Sequence, residues 1–346
     1  MMHRRIFRLA AAVLLAFSLF LSAGIPVAAA ETSASLAAPA AADPCGLRGW
    51  SLEQGYQYVT MGIYPYYEDG SPAPVLWQVL AVEDGKALLL TTNIIDAHQP
   101  IECGDRSIAE AKKYRAVTDY GETDLNVWLN ETMINDLLGD EPVLAAVTEE
   151  KYGRLYPLTD EDLLRDDFGF THVRFYEQRS RWAYATPYTK ARRLYPEIKG
   201  YFNAVQVDQG QGTSSYWVAA VKTPGKPGRY MQICSGISDT QPGDNRGNNI
   251  GHLSYGFLTR TTVGLRLAVR LDTSKIQVVS GNGSIWDPCR LAYVEDKSAD
   301  AKVVVTPPPR QEALPDPFTP PPIKDRPKLE TPGPDVTPVP VPEWAQ

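Results

Sequence analysis

The chain has 346 residues, with 34 Lys and Arg against 41 Asp and Glu, so its formal net charge is −7. This negative balance argues against nucleic acid or an anionic membrane surface as the main partner. The length and the 43% hydrophobic content are sufficient for one sizeable core.

The first 30 residues show the three parts of a secretory signal peptide. Three arginines form a basic start, an apolar run covers 9–25, and Ala28-Ala29-Ala30 supplies the small residues that a signal peptidase needs. An uncleaved membrane anchor is the alternative, and Gly24 and Pro26 disfavour it because they break helices. Cleavage after Ala30 leaves 31 basic and 41 acidic residues, and no later apolar run could span a membrane. The sequence therefore predicts a secreted or extracytoplasmic protein.

Composition divides the rest of the chain into four parts. Residues 31–44 form an Ala/Ser-rich linker, and 45–292 form a single α+β domain. Residues 293–305 connect this domain to a proline-rich tail at 306–346, which is predicted to be disordered because proline removes backbone donors and few large apolar residues are present. The tail is interpreted as a spacer, with a docking motif for a partner as the alternative.

Four cysteines lie in or at the edge of the predicted domain: Cys45, Cys103, Cys234 and Cys289. An even number of cysteines in an exported chain indicates disulfides, and three pairings are open. We favour Cys45–Cys289 with Cys103–Cys234, because Cys45 and Cys289 each follow Asp-Pro at opposite edges of the domain. No cysteine has a close Cys or His partner at zinc-ligand spacing, so no metal site is predicted here.

The domain opens with strand patterns at 58–63 and 76–82, and Asp84-Gly85 is a hairpin turn into a third strand at 87–92. The clearest helix begins at Thr123 or Asp124, carries an apolar stripe that includes Trp128, and ends at Gly139. Shorter helices are predicted at 142–151, 159–165 and 187–195. Later strands are predicted at 216–221, 229–234, 264–271 and 276–279. This order predicts an α+β domain rather than a parallel βαβ array.

Five segments have a recognisable pattern when taken together and in order. They are Val75–Leu80, Thr123–Asn130, Thr186–Ala191, Tyr216-Trp217 with Gly225, and Gly264–Val269. In order and spacing they resemble an uncharacterised bacterial exported domain family, which is similar to C-type-lectin-like and formylglycine-generating-enzyme-like folds. The resemblance implies a mixed domain with small twisted antiparallel sheets, several helices and long loops. The chain departs from the family pattern at Val218-Ala219 and at Leu267, which puts the family's usual ligand surface in doubt.

Several side chains are predicted to have structural roles. Trp77, Trp128 and Trp217 are expected in the core, with a binding platform as the alternative. Arg266 lies in an apolar strand, where an unpaired charge is costly. We expect it to extend to the surface or to pair with a carboxylate such as Asp124.

Two loops are candidate binding elements. Tyr64, Tyr66 and Tyr67 surround Pro65 in a predicted loop, and further tyrosines follow later in the chain, at Tyr184, Tyr188, Tyr195 and Tyr201. Tyrosine suits a glycan or protein ligand because its ring is apolar and its tip is polar, although an ordinary exported β-rich fold explains these residues equally well.

The second candidate is a polar loop over 238–255, and its binding residues would be Asp239, Asp244, Asn245, Asn248 and Asn249. Their oxygens suit calcium, but the spacing matches no EF-hand, and a solvated loop is the alternative. No cofactor is otherwise predicted.

The sequence therefore predicts a non-catalytic binding or surface-interaction protein for a glycan or a protein. The alternative is an envelope hydrolase or modifying enzyme that uses Asp239, Asp244 and His252. It is less favoured, because no nucleophile, metalloprotease or phosphate-binding motif is present and the enzymes related by fold use a close cysteine pair that this chain lacks. A third interpretation is a structural cap that the tail links to a larger assembly.

Overall fold

The computed structural model describes residues 44–101, 117–174, 178–192, 205–208, 210–221, 230–236, 250–257 and 263–295. All of them belong to one compact unit, Ala42–Gln346. The predicted signal peptide, nearly all of the predicted linker, the proline-rich tail and Cys103 lie outside the described residues. In the part of the chain that is described, no helix is long and apolar enough to cross a membrane.

The described strands form two sheets. In chain order the strands are β1 Gln57–Pro65, β2 Pro72–Glu83, β3 Lys86–Thr91, β4 Asp96–Ala97, β5 Tyr156–Pro157, β6 Tyr216–Trp217, β7 Tyr230–Cys234, β8 Leu253–Phe257, β9 Gly264–Leu265, β10 Leu267–Asp272, β11 Ile276–Ser280 and β12 Cys289–Tyr293. One sheet has the order β11-β12-β1-β2-β3-β10-β5 and the other the order β4-β9-β6-β7-β8. The β1–β12 and β6–β9 pairs are parallel and the remaining pairs are antiparallel.

The described helices are short. The α-helices are α1 Asp124–Trp128, α2 Ile134–Leu138 and α3 Pro187–Ala191, and a π-helical turn at Leu129–Met133 joins α1 to α2. The 3-10 turns are Tyr120–Glu122, Pro142–Ala146, Asp162–Leu164, Asp166–Phe168, Arg179–Arg181 and Thr273–Lys275. Mixed sheets with a few helices confirm the broad α+β class.

The opening hairpins follow the sequence pattern closely. Strands β1 and β2 cover the first two predicted segments, and β3 ends one residue before the end of the third. Asp84 and Gly85 have φ values of 51° and 71°, the left-handed conformation that a two-residue hairpin turn requires at both positions. Asp tolerates this conformation better than most residues because its short side chain bonds locally.

The predicted long helix is confirmed at both ends. Thr123 Oγ1 accepts the amide hydrogen of Asn126 at 3.1 Å, which caps the start, and the helical run ends at Gly139. Two shorter predicted helices, 142–151 and 159–165, are instead 3-10 turns. The predicted capping pair is present, because Thr159 and Asp162 exchange backbone-to-side-chain hydrogen bonds.

Candidate functional site

Tyr64 lies at the end of β1, not in the loop that the sequence predicts, and it is only 7% exposed. Its hydroxyl donates to Asp96 Oδ2 at 2.5 Å. Asp96 is fully buried in β4, accepts the amide hydrogen of Ala97 at 2.7 Å, and forms an ion pair with Arg192. Tyr64 is therefore a buried residue that holds Asp96 in place, and it does not form part of an exposed binding surface.

Tyr66 and Tyr67 lie in the loop between β1 and β2, as predicted. The loop is closed by their two backbone amides, which donate to the carbonyl of Ser71 at 3.0 and 3.2 Å. Gly70 completes the turn at φ +84°, which a residue with a side chain adopts at a cost. The two rings meet edge to face, with centroids 5.3 Å apart, and Tyr67 is 38% exposed.

The helix α3 packs against this loop. Its start is fixed by Thr186, whose hydroxyl accepts the Thr189 amide hydrogen at 3.2 Å, and by Pro187 in the first turn. The Tyr188 amide donates to the Tyr66 carbonyl at 2.9 Å, which joins helix and loop directly. The Arg192 guanidinium lies 5.9 Å from the centre of the Tyr188 ring. We call Tyr66, Tyr67, Tyr188 and Arg192 the tyrosine patch.

The electrostatics of the patch favour hydrogen bonding rather than nucleophilic chemistry. Burial, and then the negative charge of Asp96, raise the pKa of Tyr64 far above its ordinary value. The same two causes raise the pKa of Tyr188. Burial alone lowers the pKa of Arg192, but Asp96 and Tyr188 raise it by more, so the net shift is upward. At neutral pH the patch therefore offers the protonated Tyr188 hydroxyl, one partly neutralised cation and apolar ring faces.

The predicted core tryptophans are inside the domain. Trp77 and Trp217 are fully buried, and their indole N–H groups donate to the carbonyls of Met61 at 2.8 Å and His98 at 3.0 Å. Trp128 is half-buried and stacks on the His98 ring at 4.5 Å with an interplanar angle of 20°. All three positions fit the predicted structural role.

Arg266 is buried, and the described residues do not contain the carboxylate partner that the sequence predicts. It is only 3% exposed, so it does not extend to the surface, and within the described residues it pairs with neither Asp124 nor any other carboxylate. Its Nε donates to the Thr91 carbonyl at 3.0 Å, and its guanidinium lies 5.6 Å from the Tyr216 ring centre. Among the described residues, the contacts of its guanidinium are therefore to backbone and to an aromatic ring.

The three described cysteines, Cys45, Cys234 and Cys289, are all buried. The Gln57 amide donates both to the Gly46 carbonyl and to Cys289 Sγ, at 3.3 Å each, so the segment that contains Cys45 lies close to Cys289. No two of these three cysteines are at bonding distance. The pairing with Cys103 falls outside the described residues, and both predicted disulfides stay predictions.

The second predicted binding element cannot be compared with the structure. Asp239, Asp244, Asn245, Asn248 and Asn249 all lie outside the described residues. His252, which belongs to the enzyme alternative, is half-buried next to β8. Among the described residues, no group of three or more His, Cys, Asp or Glu side chains is arranged to hold a metal ion.

The sequence analysis does not predict the roles of three charged residues. Asp96 and Arg192 were missed, although a single acid after Ile94-Ile95 in an apolar stretch is a usable signal of a buried charge. Arg181 gives no such signal, since it follows the polar run Gln178-Arg179-Ser180. It is fully buried, and its guanidinium donates to backbone carbonyls of four separate residues, Leu163, Thr171, Val173 and Gly251, at 2.6 to 3.1 Å.

In comparisons with family models, curated proteins and solved structures, the chain has no match. The family resemblance of the five segments therefore stays a prediction.

Proposed function

We propose that this chain is an exported binding protein whose tyrosine patch recognises a glycan. The supporting observation is that a backbone hydrogen bond joins the Tyr66–Tyr67 loop to Tyr188, that Arg192 of the patch pairs with the buried Asp96, and that Tyr67 is exposed. A tyrosine ring offers an apolar face to the C–H groups of a sugar, while hydroxyl and guanidinium groups donate to sugar oxygens. Because the loop and the helix that carry these rings are joined before binding, less backbone conformational entropy is lost on binding.

Export and the finer fold assignment belong to the same proposal. Export is supported by the signal-peptide pattern at 1–30 and by the even number of cysteines. A C-type-lectin-like arrangement is supported by the five family-like segments. The α+β class is compatible with that arrangement, which is common to many proteins that bind ligands through loops.

The test begins with a glycan array, followed by calorimetric titration of the strongest glycan. Tyr67→Ala and Tyr188→Ala should each weaken binding about fivefold, because each removes one aromatic contact worth about 1 kcal/mol. Tyr255→Ala is the matched control, because Tyr255 is 40% exposed on β8 and belongs to no part of the patch. It should leave the affinity unchanged.

Three outcomes count against the proposal. If the array shows no bound glycan, a glycan is not the ligand. If Tyr255→Ala loses as much glycan affinity as the patch variants, the patch is not the binding site. Binding of a protein partner that depends on Tyr67 and Tyr188 would keep the patch but replace the glycan. Thermal unfolding of each variant must match the wild type, so that a loss of binding cannot come from misfolding.

A further inference from the structure

Arg266 occupies a special position, because it stands between β9 and β10 and so joins the two sheets. The residue is 97% buried, since its relative exposure is 3%. Its Nε donates to the Thr91 carbonyl, but its Nη1 has no hydrogen-bond partner among the described residues. An orphaned donor of this kind on a buried charge requires a physical explanation.

The other buried charges that the structure describes are matched. The Arg181 guanidinium is satisfied by backbone carbonyls of four residues. Asp96 pairs with Arg192, and Asp160 pairs with Arg174 at 2.8 Å. Arg266 differs from them, because in the described part of the chain it has neither a carboxylate partner nor a carbonyl acceptor for Nη1.

This imbalance cannot be removed by losing a proton, because arginine stays charged in proteins. The Tyr216 ring, 5.6 Å away, contributes a cation–π interaction, which compensates only part of the cost of burying a guanidinium. A negative group that reaches Nη1 would compensate the rest.

The surroundings of Arg266 provide a route for such a group. Tyr58 lies on β1 and Tyr56 immediately precedes this strand, and both are only half-buried. Gln78 lies opposite Tyr58 in the β1–β2 register and projects from the same face. Burial raises the pKa of Tyr56 to about 12 and also raises that of Tyr58, and the charge of Arg266 opposes both shifts.

We propose that Arg266 binds a small anion, a halide or a simple carboxylate, between the two sheets. Nη1 donates to the anion, and access from solvent runs past the rings of Tyr56 and Tyr58. The site is independent of the tyrosine patch, because none of these residues belongs to the patch. Its role is to complete the buried charge balance where the two sheets meet.

The experiment uses the purified mature protein in sodium gluconate, whose anion is too large for a buried site. Chloride or formate then replaces gluconate at constant ionic strength. The melting temperature should rise in a saturable way, by about 5 °C when the anion reaches about one hundred times its Kd. The 35Cl resonance of added chloride should broaden in the presence of the protein.

Arg266→Met should abolish both effects, because it keeps a chain of similar length without the charge. Arg290→Met is the matched control, because Arg290 is a partly exposed cation on β12, and it should keep both effects. If Arg266→Met does not fold, crystals of the wild-type protein soaked in bromide provide the test. The anomalous peak of a bound bromide should then lie within hydrogen-bond distance of Nη1. Equal melting temperatures in chloride, formate and gluconate, or a wild-type response in Arg266→Met, overturns the proposal. A bromide signal that lies elsewhere also overturns it.

Discussion

At the residue scale, Asp96 is the buried side chain that connects Tyr64 to Arg192 of the tyrosine patch. One oxygen accepts from the Tyr64 hydroxyl, and the other accepts from the Ala97 amide and pairs with Arg192. A buried ion pair contributes little net stability when complete, but removing one partner leaves an uncompensated charge and unmet donors. The side chain is therefore more important for the geometry of the patch than its distance from the surface suggests.

We therefore expect Asp96→Asn to lower the free energy of unfolding by about 3 kcal/mol, because Arg192 loses its partner in a largely buried position. Urea unfolding measures this change through the midpoint. Asp167→Asn is the control: Asp167 also contacts an arginine, Arg165, at 2.6 Å, but its side chain is 66% exposed. Its cost should stay below about 1 kcal/mol. Equal midpoint shifts in the two variants would show that Asp96 is not an organising residue.

At the element scale, one side chain explains the irregular helix between Thr123 and Gly139. Asn130 lies in the π-helical turn, and its Nδ2 donates to the carbonyls of Tyr152 at 3.2 Å and Leu155 at 3.1 Å. Its Oδ1 accepts from the amides of Arg154 at 2.6 Å and Leu155 at 3.0 Å. The turn directs this amide into a loop more than 20 residues away, which connects the helix to the chain just before β5.

Asn130→Ala should destabilise the domain by about 2 kcal/mol, because the backbone groups of the 152–155 loop lose their partners in a partly buried position. Urea unfolding and hydrogen exchange of the Arg154 and Leu155 amides are the measurements. Asn135→Ala on α2 is the matched control, since the Asn135 amide donates only to the Glu131 carbonyl at 2.9 Å on the exposed side. The interpretation fails if the two alanine variants unfold at the same urea concentration.

The same helix shows which structural features can be predicted from the sequence and which cannot. The cap at Thr123, the apolar stripe and the stop at Gly139 are local features, and all three are present. The π-helical turn depends on the 152–155 loop, which no local periodicity can indicate. The two-residue strands β4 and β5 exist only because β9 and β10 pair with them. Likewise, Tyr66 and Tyr67 could be predicted as loop residues, whereas Asp96 and Arg192 meet across 96 positions.

At the scale of the whole molecule, proposed export and proposed disulfides depend on each other. Thiols become disulfides in oxidising compartments, and a bridge between Cys45 and Cys289 would close nearly the whole domain into one loop. The contact of Gln57 with both the Gly46 carbonyl and Cys289 Sγ shows that the fold already brings these distant segments together. A Cys45–Cys289 bridge would therefore join two segments that already contact the same side chain.

We expect the protein recovered from outside the cytoplasm to begin at Glu31 and to contain no reactive thiols. Its intact mass should correspond to residues 31–346. Alkylation should add nothing before reduction and four groups after it. Ala28→Lys should block cleavage, because the peptidase needs a small residue there, whereas Ala29→Lys at the neighbouring position should be cleaved normally.

The disulfide pairing is tested by Cys45→Ser, which should expose a single thiol, at Cys289. Two reactive thiols in that variant, or one at Cys103 or Cys234, would reject the pairing, and a retained 1–30 segment would reject the cleavage.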